Sequence, residues 1–182
     1  IQQPQPCTNV VGTTATFWVS ATGTEPLAYQ WQKLGASWAN LSGCTATNLV
    51  LTNVQPMPPV ADYRVVITNA DGTAISASAR LTVLVPPALT GIESTSVNPG
   101  SSVSFTVTAG GTAPFSYQWR FDGGDLTDQT DATLTIPVAQ PANEGEYTVV
   151  VTNLAGAATS APAWLRVCPL LTEARRGHTR SQ

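Results

Sequence analysis

Hydrophobic and polar residues alternate along short segments in most of the chain. Residues 16–19 read Thr-Phe-Trp-Val and residues 104–107 read Ser-Phe-Thr-Val, and residues 48–51 and 133–136 have the same period of two. Such alternation is typical of β-strands with one buried face, and the Gly, Pro and Asn residues between the runs indicate turns. No stretch of the main body has sustained helical spacing. The pattern predicts an all-β chain of short antiparallel strands.

The alternating segments occur in two copies. Residues 29–31, Tyr-Gln-Trp, recur at 117–119, and the pattern of residues 63–69 recurs at 147–153. A self-similar chain of this kind is built from repeated structural units. The first copy ends in Pro86-Pro87, which cannot donate ladder hydrogen bonds and so stops the last strand. We therefore predict three parts, namely a domain at 1–85, a second at 86–167 joined to it by a short stiff linker, and a polar basic tail at 168–182.

The order of the elements resembles the immunoglobulin fold, in particular the tandem intermediate-set-like domains of secreted and surface proteins of bacteria. The resemblance covers nearly all of residues 1–167 and rests on Trp31 and Trp119, followed by Tyr63 and Tyr147. It implies two antiparallel β-sandwiches in which each Trp is buried on the third main strand. It also implies that each Tyr forms the tyrosine corner of the family.

The same resemblance places valines where the family has its disulfide-bonded cysteines. Val19 and Val65 take these positions in the first copy, and Val107 and Val149 take them in the second. Each unit is then expected to obtain from apolar burial the roughly 2–4 kcal/mol that a disulfide would add.

The three cysteines, Cys7, Cys44 and Cys168, have neither zinc-site nor redox spacing. Cys7 and Cys44 can approach at one end of the first sandwich, so we predict a disulfide between them, with two unpaired thiols as the alternative. Cys168 is expected to be free, although an intermolecular bond is open to it. A disulfide agrees with an oxidising compartment. The predicted location is therefore extracellular or at the cell surface.

Two tryptophans are predicted to point outward. Trp18 lies between inward residues of a strand, and its repeat partner is Thr106; Trp164 has Arg80 as its repeat partner. A large ring in place of a polar residue either lies flat on its own sheet or anchors an interface, since Trp is enriched among the residues that dominate binding energy.

The amino-acid composition limits the classes of partner that the chain is expected to bind. Only 10% of the 182 residues are charged, and the formal net charge is -3. This balance argues against nucleic acid or an anionic membrane surface as a partner. No apolar run approaches the length of about 18 residues that a spanning helix needs, so we expect no membrane insertion.

Metal and modification motifs are weak. Asp122, Asp125, Asp128 and Asp131 recur at intervals of three and are weak calcium candidates, but they lack the spacing of an EF-hand, and a solvated acidic loop is the favoured interpretation. Residues 40–42, Asn-Leu-Ser, form a glycosylation sequon that matters only if the source glycosylates its secretory proteins. We expect no cofactor.

The sequence lacks the common catalytic motifs. The sequence contains no Gly-x-Ser-x-Gly elbow and no phosphate-binding glycine loop, and its single histidine, His178, is in the polar tail. Glu144 and Glu146 are neighbours that are expected to face solvent. We predict that the chain is not an enzyme.

Two functions therefore remain. The first is a structural or adhesive module that associates with other copies of itself into a fibre or surface assembly, or that acts as a rigid spacer beside neighbouring domains. For self-association, Leu170 and Leu171 of the tail would be apolar anchors, and Arg175, Arg176 and Arg180 would meet the acidic body of the next subunit. The alternative is a carbohydrate-binding accessory module of a secreted hydrolase.

Overall fold

The computed structural model describes residues 1–56 and 61–168. The chain divides into two compact units, Ile1–Pro86 (unit 1) and Pro87–Gln182 (unit 2). Apart from one short 3-10 turn, Pro141–Asn143, every regular element in the described ranges is a β-strand. The all-β class predicted from the alternation is confirmed.

Unit 1 contains two facing sheets. The larger sheet has the order β1-β8-β6-β3-β4, with β7 also paired to β6, and the smaller one consists of β2 and β5. Its strands are β1 (Cys7–Val10), β2 (Ala15–Trp18), β3 (Ala28–Leu34), β4 (Trp38–Asn40), β5 (Asn48–Leu51), β6 (Ala61–Asn69), β7 (Gly72–Ile75) and β8 (Ala79–Leu84).

Unit 2 repeats this plan. Its larger sheet has the order β10-β18-β16-β13-β14, with β17 paired to β16, while β11 pairs with β15 and β9 pairs with β12. The strands are β9 (Ala88–Thr90), β10 (Thr95–Val97), β11 (Val103–Thr106), β12 (Thr108–Gly110), β13 (Ser116–Phe121), β14 (Gly124–Asp125), β15 (Thr133–Ile136), β16 (Gly145–Asn153), β17 (Gly156–Thr159) and β18 (Ala163–Val167).

One strand near the start of each unit departs from the antiparallel prediction. β1 runs parallel to β8, and β10 runs parallel to β18, whereas the other strand pairs are antiparallel. In unit 1 the chain first forms an antiparallel bridge between Gln2 and Ser20 and then crosses to the larger sheet. In the larger sheet β1 lies beside β8, the last strand of unit 1, and the two strands run in the same direction.

The buried side chains follow the alternation. Along β6 and β16, alternate residues are buried between the sheets and the others are half-buried or exposed on the outer face. Each unit has its own core cluster of buried side chains from both sheets. The period of two therefore translates directly into one inner and one outer face per strand.

An asparagine closes the turn after the longest strand of each unit. The side chain of Asn69 accepts hydrogen bonds from the backbone N–H groups of Asp71 and Gly72, both at 3.0 Å, and it donates to the carbonyl of Thr24 at 2.9 Å. Asn153 makes the corresponding bonds in unit 2. The repeated Thr-Asn pair thus satisfies the turn backbone and fastens a neighbouring loop.

Candidate functional site

The two tryptophans expected in the core are completely buried. Trp31 on β3 and Trp119 on β13 have no exposed surface, and each indole Nε1 donates a hydrogen bond to a loop carbonyl. The acceptors are the carbonyls of Ala46, at 2.9 Å, and Asp131, at 2.8 Å. A buried indole needs such a partner, so the loop before β5 or β15 is fastened to the centre of its sandwich.

The valines assigned to the disulfide positions lie in the same cores. Val65 and Val149 are fully buried, and in the strand register they lie opposite Trp31 and Trp119. Val19 and Val107, which directly follow β2 and β11 of the facing sheets, are also buried, with exposures of 5% and 3%. Apolar packing therefore occupies the space that a cross-sheet disulfide would span.

Tyr63 and Tyr147 are buried beside phenylalanines from the opposite sheet. The rings of Phe17 and Tyr63 have centroids 5.3 Å apart, and those of Phe105 and Tyr147 are 5.1 Å apart. In unit 2 the Tyr147 hydroxyl donates a hydrogen bond of 2.9 Å to the carbonyl of Asn143. This bond closes the tyrosine corner and anchors the 3-10 turn that precedes β16.

We expect Tyr147→Phe to destabilise unit 2 by about 1 kcal/mol at neutral pH, because the Asn143 carbonyl loses its hydrogen-bond donor. Burial, and then the negative charge of Asp122, raise the pKa of Tyr147 above its ordinary value of 10.0. The folded state therefore favours the neutral phenol, and this contribution to stability is present below pH 10 and is lost as the pH rises through the folded pKa.

The measurement is urea unfolding of wild type and variant at pH 7 and above pH 10. The free energy of unfolding should fall with alkaline pH in the wild type, and it should fall less in the variant. Tyr117→Phe is the matched control, because its hydroxyl makes no hydrogen bond within residues 1–56 and 61–168. Equal losses in the two variants at pH 7 would contradict the role of the corner bond.

The predicted Cys7–Cys44 disulfide is wrong for this structure, which contains both residues as free thiols. Cys7 is on β1, at one edge of the larger sheet, whereas the carbonyl of Cys44 accepts the N–H of Trp31 beyond β3. Strands β8, β6 and β3 lie between them, and neighbouring strands are about 4.8 Å apart. The bond requires a Cα separation of roughly 4.4–6.8 Å, which is shorter than the distance across three intervening strands. Both cysteines are partly buried and pack against the core of unit 1.

Burial raises the pKa of the Cys7 thiol, which keeps it protonated and of low reactivity. Cys168 is exposed and is also a free thiol.

The acidic loop of unit 2 is a structural element. Asp122 Oδ1 accepts the Glu146 N–H at 2.8 Å, and Asp125 pairs with Arg120. Asp131 contributes its backbone carbonyl to Trp119, and Asp128 takes up a left-handed backbone angle of 61°. In the part of the chain that the structure describes, no three acidic, cysteine or histidine side chains gather into a metal site. The calcium interpretation is not supported.

Glu144 and Glu146 do not act as a pair of free carboxylates. Glu144 is exposed, but its Oε1 accepts the backbone N–H of Val167 at 2.7 Å. Glu146 is half-buried on β16. Both residues therefore belong to the corner of unit 2.

No helix in the described residues has the length and apolar character needed to span a membrane.

Trp164 lies on the outer face of β18 and is half exposed. It is paired in register with Glu146 on β16, and its backbone N–H donates to Ser94 Oγ at 2.9 Å. The matching positions of unit 1 hold Arg80 and Asp62, whose Nε and Oδ1 atoms are 3.2 Å apart. Unit 2 thus presents an aromatic ring where unit 1 has an ion pair.

Trp18 lies on the outer face of β2, and 64% of its surface is exposed. It borders a groove of about 440 Å³ between β2 and the segment at residues 2–7. The polar side chains along this groove are Gln2, Gln3, Gln5, Thr16 and Ser20. Its lining contains aromatic, aliphatic and amide groups but no charged residue.

The interface candidates Leu170, Leu171, Arg175 and Arg176 of the tail lie outside the described residues. Among the interface candidates that the structure describes, Trp18 borders an uncharged groove in unit 1, and Trp164 is paired in register with Glu146 in unit 2.

The sequence does not predict a contact around Trp38 that the structure contains. The guanidinium of Arg64 lies 4.3 Å from the centre of the Trp38 ring, and Arg64 Nε donates to Gln32 Oε1 at 2.7 Å. Gln32 Nε2 in turn donates to Asn40 Oδ1 at 2.8 Å. Alternation places these side chains on the outer face, but the contact depends on the register of three strands, which the sequence does not give.

The facing sheets, the buried Trp on the third main strand and the tyrosine corner define an immunoglobulin-like β-sandwich. Residues 86–153 match the family model described as immunoglobulin domain. The chain is a tandem pair of immunoglobulin-like domains.

Similar proteins are long and diverse. The chain is 33% identical over 174 residues to endoglucanase C of Cellulomonas fimi, covering 91% of this chain and 16% of that protein. It is 34% identical over 151 residues to the basement membrane-specific heparan sulfate proteoglycan core protein of Mus musculus, covering 81% of this chain and 4% of that protein. The I-band fragment of titin superposes with a TM-score of 0.72 at 22% identity, covering 91% of this chain and 64% of the fragment, which shows the shared fold.

Proposed function

We propose that this chain is a non-catalytic structural and adhesive module of a larger extracellular or cell-surface protein. Support comes from the relatives, since the chain corresponds to 16% of an endoglucanase and 4% of a basement-membrane proteoglycan core protein. In such proteins a tandem sandwich is one part of a much longer chain. Its partners in this proposal are neighbouring domains or other copies of the same chain.

The observation that carries the proposal is the half-exposed Trp164 ring on the outer face of unit 2. The same position in unit 1 holds Arg80, which pairs with Asp62, so the fold itself does not require an aromatic residue there. Tryptophan is enriched where one protein surface binds another, because its large ring buries much area with little loss of conformational entropy. We assign Trp164 as the anchor of a contact between units of different chains.

In this proposal the Trp164 surface of one chain meets a different surface of the next chain, which makes the contact heterologous. Unit 1 does not offer a second copy of the Trp164 surface, because it has an ion pair at that position. A heterologous contact that does not close into a ring builds an open chain of subunits. The proposed assembly is therefore a fibre or surface layer, and a monomeric chain would instead serve as a spacer.

Trp164→Arg tests this proposal and is designed from unit 1. The new guanidinium would face Glu146 as Arg80 faces Asp62, so unit 2 should keep its stability. In sedimentation velocity, the average sedimentation coefficient of the wild type should rise with concentration, and that of the variant should stay at the monomer value. Val138→Thr, at a residue that is 53% exposed elsewhere on unit 2, is the control and should behave as wild type.

A wild type that stays monomeric at high concentration would rule out self-association and leave the spacer role. The contribution proposed for the tail is tested in the same experiment by a chain that ends at Val167. If that shorter chain associates as strongly as the full chain, Leu170, Leu171, Arg175 and Arg176 have no part in the contact.

A second candidate function is that of a carbohydrate-binding accessory module in a secreted hydrolase. The observation that favours it is the uncharged groove beside Trp18, which combines an exposed aromatic ring with amide side chains. The relative from Cellulomonas fimi is an endoglucanase, an enzyme that acts on glucan chains, and this chain matches a part of it. An accessory module of this kind would hold the hydrolase on its polysaccharide.

A further inference from the structure

We propose that the groove beside Trp18 in unit 1 is a binding site for a neutral oligosaccharide, an assignment that rests on the second candidate function and gives it a location. The occupant is a short stretch of uncharged glycan with one sugar ring stacked on the indole of Trp18. The groove is about 440 Å³, which is within the usual range of 300–1,000 Å³ for small-molecule sites.

The groove exists because the chain changes sheets at this point. Gln2 pairs with Ser20 on the smaller sheet, and from Cys7 onward the chain pairs with β8 on the larger one. The residues between them cross the open edge of the sandwich. Two of these are prolines, which have no N–H to pair with β2, and Pro4 is buried. The crossing segment therefore covers the core while leaving a furrow along β2.

Trp18 supplies the apolar side of the site. Its two neighbours, Phe17 and Val19, point into the core and hold the strand, so the indole is fixed at its base while 64% of its surface is exposed. One face of a pyranose ring carries mainly C–H groups, and a flat exposed aromatic ring covers such a face while its edges remain in water. The rigid indole loses little conformational freedom when a ligand stacks on it.

Amide side chains supply the polar side. An amide both donates and accepts hydrogen bonds, as does a sugar hydroxyl. Two of the glutamines are held in place, because Gln3 Oε1 accepts the N–H of Ala77 at 2.8 Å and Gln5 Nε2 donates to the carbonyl of Gln3 at 3.1 Å. The side-chain amide of Gln2 has no hydrogen-bond partner among the residues that the structure describes, and it is therefore available to a ligand.

The absence of charge in the lining selects the class of ligand. No Asp, Glu, Lys or Arg contributes to the groove, so a phosphorylated, sulfated or carboxylated ligand would give up its hydration without gaining an ion pair. A neutral ligand with many hydroxyl groups has no such cost. The lining therefore favours an uncharged glycan over an acidic one.

Unit 2 provides an internal comparison. At the position of Trp18 it has Thr106, whose hydroxyl is 3.0 Å from the hydroxyl of Thr133 on the neighbouring strand. The polar pair completes the outer face of this sheet without any exposed ring. The aromatic residue in unit 1 is therefore not required by the fold, and the proposed site belongs to unit 1 alone.

The test is isothermal titration calorimetry of the full chain with cellohexaose, a neutral gluco-oligosaccharide, and with a hexamer of galacturonate as the charged comparison. The wild type should bind the neutral hexamer with a saturable heat, and it should bind the acidic hexamer at least tenfold more weakly. Trp18→Thr, which copies the residue of unit 2, should weaken binding at least tenfold. Gln2→Ala should weaken it severalfold, and Trp164→Arg should bind as wild type.

The thermal unfolding temperature of Trp18→Thr is expected to match that of wild type within a few degrees. This control shows whether weaker binding comes from loss of the site or from unfolding of unit 1. If Trp18→Thr and wild type bind cellohexaose equally well, the site is wrong although the accessory function stands. If neither cellohexaose nor a neutral α-linked gluco-oligosaccharide binds the wild type, the proposed site and the accessory function are both overturned. If Trp18→Thr instead abolishes concentration-dependent sedimentation, the groove is occupied by a second copy of the chain, and the glycan proposal fails.

Discussion

Replacing Trp119 by alanine is expected to destabilise unit 2 by about 3–5 kcal/mol. The indole is completely buried, its Nε1 donates to the Asp131 carbonyl, and Phe105 lies against it with ring centroids 6.4 Å apart. The substitution leaves a large cavity at the centre of the sandwich and also releases the loop before β15. Because small domains have a total stability of about 5–15 kcal/mol, much of unit 2 should be unfolded at moderate denaturant concentration.

Chemical denaturation followed by circular dichroism measures this effect. Trp164→Ala is the matched control, because it removes the same side chain from a half-exposed position on the same unit, and it should change the free energy of unfolding by less than about 1 kcal/mol. A loss at Trp119 that is no larger than the loss at Trp164 would contradict the central packing role of the buried indole.

Replacing Gly145 by alanine should cost unit 2 about 1–3 kcal/mol, as overpacking of a filled site usually does. A Cβ atom at this position would lie 2.5 Å from Phe121 Cε2 and 2.7 Å from Asp122 Oδ1. Neither neighbour can easily move away, because the Phe121 ring packs on Tyr147 and the Asp122 carboxylate accepts the Glu146 N–H. The measurement is the same chemical denaturation.

The repeat suggests how this loss can be recovered. At the matching positions, unit 1 has Ala61 in place of Gly145 and Lys33 in place of Phe121. In unit 2 the aromatic ring therefore occupies the space that a Cβ atom would need, and in unit 1 an alanine is combined with a lysine instead. The double substitution Gly145→Ala with Phe121→Lys should be less destabilising than the sum of its single substitutions. Strict additivity of the two losses would show that the ring is not what excludes a Cβ atom.

The sequence predicted the architecture because the relevant signals are local and occur twice. Alternation along β2 and β11 identifies the inner face of a strand without knowledge of its partner. The repeated Trp and Tyr add two fixed points in each unit. Parallel pairing of β1 with β8 could not be predicted in this way, because it joins segments at opposite ends of unit 1 whose pairing no local pattern records.

The candidate sites could be predicted only in part from the sequence, for the same reason. Alternation placed Trp18 and Trp164 on outer faces, and both are exposed. The groove beside Trp18 was not foreseen, because residues 2–6 have no periodic pattern and their path depends on the change of sheet. The disulfide prediction failed because it considered only the ends of strands, whereas the distance between Cys7 and Cys44 is set by the order of strands across the sheet.

The parallel pair formed by β1 and β8 has a consequence for mechanical load. The chain enters β1 at Cys7, and it leaves β8 at Leu84, at the opposite end of the paired segment. A force that pulls the two ends of unit 1 apart therefore slides these strands along each other in shear. All four residue pairs of the segment bear the load together, whereas an antiparallel hairpin pulled from its open end breaks one pair at a time. The matching pair in unit 2, β10 with β18, has three residue pairs, so unit 1 should withstand the greater tension.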